Sequence, residues 1–75
     1  MKTILIPIAT GFEEIEAITL IDVLRRAGLK VITASIGKKL DIQGANGIVI
    51  VAQKNIQEIT SEDIDMILLP GGWGG

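Results

Sequence analysis

Two stretches of this 75-residue chain carry residue types that could do chemistry: "GFEEIE", Gly11 to Glu16, and "LLPGGWGG", Leu68 to Gly75. The first gathers Glu13, Glu14 and Glu16 at the point where a helical period begins. Carboxyl groups there can serve as acids or bases, can tune a nucleophile, or can simply favour the helix. Thr10-x-x-Glu13 fits a capping box, and acidic residues in a first turn are favoured by the helix dipole, so Glu13 and Glu14 are expected to serve the helix itself. Glu16 falls about 100° from the centre of the apolar face, beside Leu20 and Val23. Spacing alone makes it a solvated flank residue. Ile15 breaks the pattern in the other sense, lying with Thr19, Asp22 and Arg26 on the polar face. It is either an ordinary exposed apolar residue or the centre of a subunit contact.

The second stretch ends an apolar run in a loop with glycine at positions 71, 72, 74 and 75. The carboxyl ends of parallel strands are where α/β sheets place their sites. Peptide N–H groups in such a loop can hold phosphate or stabilise an oxyanion. It is not a Walker loop, lacking Lys-Ser/Thr, nor a dinucleotide fingerprint, lacking the G-x-G-x-x-G order. The chain contains no Cys and no His, which excludes disulfides and the usual zinc sites, and no metal or cofactor is expected. No nucleophile can be named from the residue types. Only hydroxyls, carboxylates and amines remain, and no Ser–base pair stands out.

The elements that must position these residues follow from hydropathy. Ile4 to Ile8 reads as a strand buried on both faces, with Pro7 expected near its end. From Glu14 to Ala27 the period becomes helical, with Ala17, Ile18, Leu20, Ile21 and Leu24 on one face and Gly28 as the stop. Lys30 to Ile36 is a second strand, expected parallel to the first. Leu40–Gln43 and Ile48–Val51, separated by "GANG", are expected to form an antiparallel hairpin. Ile56 to Glu62 reads as a short helical turn, and Asp65 to Leu69 as another buried strand.

Nearly all the apolar content is Ile, Leu, Val and Ala, with Phe12 and Trp73 the only aromatic residues. A net charge of −2 argues against nucleic acid or an anionic membrane as partner. The longest apolar run, Ile4 to Ala9, is too short to span a bilayer, and the start lacks a cleavage site, so the expected address is the cytoplasm. Strands this apolar need helices on both faces. The chain offers one helix and one doubtful turn. Residues 1–75 are therefore expected to be an incomplete domain; the competing reading is a two-layer protein that dimerises through its bare sheet face.

With "GFEEIEAITLIDVLRRAGLKV" after a strand, then a hairpin, then "ILLPGG", the chain resembles the amino-terminal part of the ThiJ/PfpI superfamily, nearest the deglycase-like branch of Parkinson disease protein seven. The resemblance covers all 75 residues. It implies a flavodoxin-like three-layer sandwich with a mostly parallel sheet, more than twice as long as this chain, whose reactive Cys stands on a strand-to-helix turn after the "PGG" loop. By this resemblance Glu16 hydrogen-bonds that Cys and helps set its ionisation, a role suited to a carboxyl held protonated by its surroundings. Gly71 and Gly72 become oxyanion donors. Homodimers of the family use the first helix, giving Ile15 and Thr19 a contact role. The implied activity is cofactor-independent conversion of small reactive carbonyls, glyoxalase- or deglycase-like. The alternatives are a chaperone or stress-response protein of the same fold, and an amidotransferase- or peptidase-like hydrolase. The Cys is expected on a companion chain, or on the remainder of the domain, after Gly75, since glycine-rich loops are favoured sites of nicking.

Overall fold

The computed structural model describes residues 2–70. Its centre is β1 (Thr3–Ile8), paired in parallel with β2 (Lys30–Ser35) from Thr3↔Lys30 to Ile8↔Ser35. On its other side lies β6 (Met66–Ile67), at Ile4↔Met66 and Leu5↔Ile67. A further two-residue strand, β5 (Lys54–Asn55), joins β2, giving the order β5-β2-β1-β6 with every pairing parallel. This is the α/β architecture expected from the sequence. Ile4, Ile6 and Ile8 are buried on one face of the sheet and Leu5 on the other, which is why β1 does not alternate.

Pro7 ends one of these pairings. The carbonyls of Thr3 and Leu5 accept from Asp65 N (2.9 Å) and Leu68 N (3.0 Å), whereas those of Lys2 and Ile8 accept from Lys30 N and Ile36 N. Odd-numbered residues of β1 thus address β6, and even-numbered ones address β2. Pro7 is the next odd residue and has no N–H to donate. The pairing with β6 goes no further than Ile67.

Between β1 and β2 runs α1 (Glu14–Arg26). Ala17 is fully buried against Ile4, Ile6 and Ile8, and Leu20, Ile21 and Leu24 pack around that core. Gly28 adopts φ +88° just past the helix, and Leu29 N donates to the Leu24 carbonyl at 3.2 Å, so glycine stops the helix as expected. Ile18 does not join the buried face; it is exposed. The capping box is not formed either. Glu13 is itself the N-cap, in extended conformation, with no side-chain cap bond.

The hairpin is present as β3 (Asp41–Gln43) and β4 (Val49–Val51), antiparallel through Ile42↔Ile50, with Gly47 supplying the left-handed turn at φ +85°. It forms a sheet of its own and buries Ile42 against the α1 core. The expected helical turn over 56–62 is two short 3-10 turns, Ile56–Glu58 and Ser61–Asp63. Asn55 and Glu58 form a reciprocal capping box on the first of them. Three residues lock the far side of β2: Thr33 N and Arg25 Nη2 both donate to Gln53 Oε1, at 3.1 and 2.9 Å.

The last strand departs from expectation. Only Met66 and Ile67 pair, and both are at least half exposed. Side chains of residues paired across a parallel ladder share a face, so Leu5, Ile32 and Ile67 stand together on the side away from α1. Ile56, Ile59 and Ile64 line that side too, around a hollow of 510 Å³. No α-helix covers it among the described residues. Two layers of the sandwich are in place, and the bare face is the one that the count of elements anticipates.

Candidate functional site

Parallel strands end together where β1 passes into α1. Gly11 turns the chain there with φ +89°, and Phe12 drops into the core, so that the helix starts directly over the carboxyl end of β1. Pro7, Ala9, Thr10, Gly11, Phe12 and Ile36 meet Leu69 and Pro70 around a hollow of 390 Å³. Its lining is mostly apolar, with Thr10 the one hydroxyl-bearing residue among the residues named. Gly71 and Gly72, which the sequence assigns to this end of the sheet, lie outside the described residues.

Of the three carboxylates, the structure separates three environments. Glu13 is exposed at the N-cap. Glu16 is exposed as well, beside Ile15, Thr19, Leu20 and Val23 in a shallow apolar depression. Its position on the flank agrees with its spacing. Ile15 is 81% exposed and Thr19 is exposed, and Ile18 and Ile48 flank them.

Glu14 is the residue the sequence misreads. Expected to serve only the dipole, it is instead 4% exposed. Its Oε2 accepts from Asn46 N at 2.7 Å and Ile48 N at 3.2 Å, and its Oε1 from Asn46 Nδ2 at 2.9 Å. Burial by itself pushes this carboxyl up, but hydrogen bonds from the Asn46 side chain and from backbone N–H groups outweigh it and hold the group below the ordinary 4.5. A depressed carboxyl stabilises the fold above its unfolded value, and that contribution is lost as the pH falls through the lower folded value. Ionised Glu14 is therefore part of the fold at neutral pH. The approach needs a glycine: a Cβ on Gly44 would stand 2.5 Å from the Glu14 carboxyl carbon. "GANG" holds part of this signal, since it contains Asn46 and Gly44, but residue types alone mark it only as a turn.

Two backbone bonds complete the junction. Gly11 N donates to the Gln43 carbonyl and Ala45 N to the Phe12 carbonyl, both at 2.8 Å. The loop that delivers α1 is thus fastened to the hairpin on both sides of Phe12. Among the described residues no three carboxylates gather closely enough to hold a metal ion. No described helix is long and apolar enough to cross a membrane.

A family model described as the DJ-1/PfpI family matches residues 2–75. Protein DJ-1 homolog A of Arabidopsis thaliana is 44% identical over 72 residues, covering 96% of this chain and 18% of that protein. Protein dj-1beta of Drosophila melanogaster is 36% identical over 74 residues, covering 99% of this chain and 40% of its own length. Among solved structures, oxidized Toxoplasma gondii DJ-1 superimposes with a TM-score of 0.90 at 39% identity, over 96% of this chain and 39% of that one. The crystal structure of Drosophila melanogaster DJ-1beta gives 0.87 at 35% identity, over 95% and 38%. The chain spans no more than two-fifths of the length of any of these relatives.

Proposed function

The chain belongs to the DJ-1/PfpI family, and from that premise we propose that it supplies half of the site of a cofactor-independent, Cys-dependent enzyme acting on small reactive carbonyls such as 2-oxoaldehydes. The observation that supports this reading most is the place of Glu16. It is an uncommitted carboxyl in the first turn of the helix that follows the central strand, at the end of the sheet where such folds put their chemistry.

In this reading the remainder of the domain, on a companion chain or after Gly75, brings a thiol to Glu16. Hydrogen bonding to Glu16 favours the thiolate, which attacks the aldehyde carbon to form a hemithioacetal. Charge gathers on the carbonyl oxygen, and the N–H groups of Gly71 and Gly72 are the proposed donors to it. With the complete domain assembled, Glu16→Gln is expected to raise the thiol pKa and to slow methylglyoxal consumption about 100-fold, the lower end of what positioned acid–base groups contribute. Unaltered turnover would remove Glu16 from the mechanism. A non-enzymatic chaperone of the same fold draws support from the exposed Ile15, Val51 and Leu69. It predicts instead that turnover is absent in the unsubstituted domain.

The partner proposed for the α1 face is a second copy, with Ile15 near its own counterpart and Thr19 one turn along. Ile15, Ile18 and Ile48 form a continuous apolar rim between α1 and the hairpin. Ile15→Asp puts two carboxylates close to the two-fold axis, and sedimentation of the complete protein should show a clear rise in the monomer fraction. Unchanged mass would return Ile15 to the ordinary exposed apolar residues.

A further inference from the structure

α1 begins without the device that usually fixes a helix start. Glu13 occupies the N-cap and its side chain makes no capping bond. A helix resting on a sheet through Ala17, Leu20, Ile21 and Leu24 is held in height, but apolar contacts alone resist rotation about its axis poorly, because they are not directional. Something else sets the bearing of its first turn.

Resting on the reading of Glu16 given above, we propose that Glu14 is the positioning residue of the site: its bonds to the turn Asn46–Ile48 clamp the hairpin to the first turn of α1 and so fix the direction in which Glu16 points.

The geometry carries this in three steps. Glu14 and Glu16 are two residues apart, so they lie about 200° from each other around a helix of 3.6 residues per turn. One can be gripped by the hairpin while the other stands exposed beside Leu20 and Val23, open to the thiol proposed for it. Next, both belong to the same turn, so any rotation that frees Glu14 swings Glu16 by an equal angle. At the outer radius of a helix with its side chains, about 5–6 Å, a 10° rotation moves a carboxyl about 1 Å. A displacement of that size is enough to cost about 100-fold in rate when it misplaces a reacting group. Finally, the grip is directional. Asn46 N, Asn46 Nδ2 and Ile48 N converge on the two carboxylate oxygens, while Gly11–Gln43 and Phe12–Ala45 fasten the preceding loop. The missing side chain at Gly44 is what lets the carboxylate reach this nest. A group needed only for the helix dipole would require none of these partners.

The test uses the complete domain with its thiol. Glu14→Gln keeps the shape but loses the charge and one of the two acceptor oxygens. It is expected to raise the thiol pKa in the same direction as Glu16→Gln and to lower kcat for methylglyoxal about tenfold with KM nearly unchanged. In the Glu16→Gln background it should shift the thiol pKa no further, because the two residues act through one bond. Should Glu14→Gln fail to fold, Asn46→Ala removes only the Nδ2 donor from an exposed position and should give a smaller shift of the same sign. If Glu16→Gln moves the thiol pKa while neither clamp variant does, the positioning role is overturned and the reading of Glu16 stands. If Glu16→Gln itself leaves the thiol unmoved, both fall together. Additive shifts in the double variant also overturn the clamp, since they would make Glu14 act on the thiol independently of Glu16.

Discussion

Ile6→Ala is expected to destabilise the complete domain by about 3–4 kcal/mol, within the range measured when a buried Ile or Leu is cut back to Ala. Ile6 is fully buried in the middle of β1, paired with Thr33 of β2 and packed in one cluster with Ala17 of α1. The cost has two parts: the apolar surface no longer removed from water, and the cavity left behind. A cavity here closes badly. On one side is a parallel ladder fixed by its hydrogen bonds, and on the other Ala17 offers only a methyl group, which cannot rotate into the space. Ile6→Val removes a single methyl and should cost only about 1 kcal/mol. Urea denaturation monitored by circular dichroism gives both values. A loss below 1 kcal/mol for the alanine variant would mean that α1 settles onto the sheet and that the interface is looser than its burial implies.

The parts of this fold that are legible in the sequence share one property: their signal is local. β1 shows as an unbroken apolar run, β2 as a second apolar-rich stretch after the helix, α1 as a 3.6-residue period ending at Gly28, and the hairpin as Asn46-Gly47 between two short apolar stretches. What could not be read depends on partners distant in sequence. Asp65 to Leu69 has the composition of a buried strand, and such a strand is buried only when it has neighbours on both sides. β6 has β1 on one side, and no described strand on the other, so Met66 and Ile67 stay exposed. β5 has no apolar pattern at all; Lys54 and Asn55 pair with Ala34 and Ser35 because the Thr33–Gln53 bonds bring them there. Ile18 sits on the edge of the helical apolar stripe facing Ile48, beyond the reach of the sheet.

The same distinction separates the glutamates. The helical angle of Glu16 puts it on the flank of α1, and it is exposed there. Its proposed chemistry came from resemblance, because the thiol it would serve is not among these residues. Periodicity misplaces Glu14 because its three donors lie 32 to 34 positions later, and two of them are backbone N–H groups that leave no mark on the residue type. Sequence periodicity describes which way a side chain leaves its own element. It cannot say what another element brings to meet it.

Phe12 joins these two levels, and Phe12→Ala is expected to cost about 3–5 kcal/mol, the range for a buried aromatic cut back to Ala. The ring is buried in the same cluster as Ile8, Ala17 and Ile42, so it bridges sheet, helix and hairpin. Its backbone is committed too, with Phe12 N donating to the Ala9 carbonyl at 3.2 Å and its own carbonyl accepting from Ala45 N at 2.8 Å. Removing the ring therefore does more than leave a hole. It withdraws the apolar anchor that holds the β1–α1 loop at the height where the Ala45 and Gln43 bonds can form. Amide exchange at Ala45 and Gly11 should accelerate more than exchange along β2, whose bonds to β1 do not depend on the loop. Phe12→Leu fills most of the volume and should keep both amides protected at a cost of about 1 kcal/mol, as for other swaps that change shape more than size. If Phe12→Ala instead lowers protection uniformly across sheet and hairpin, the ring supports the global core alone. The junction that presents Glu14 and Glu16 would then owe its order to hydrogen bonds without help from packing.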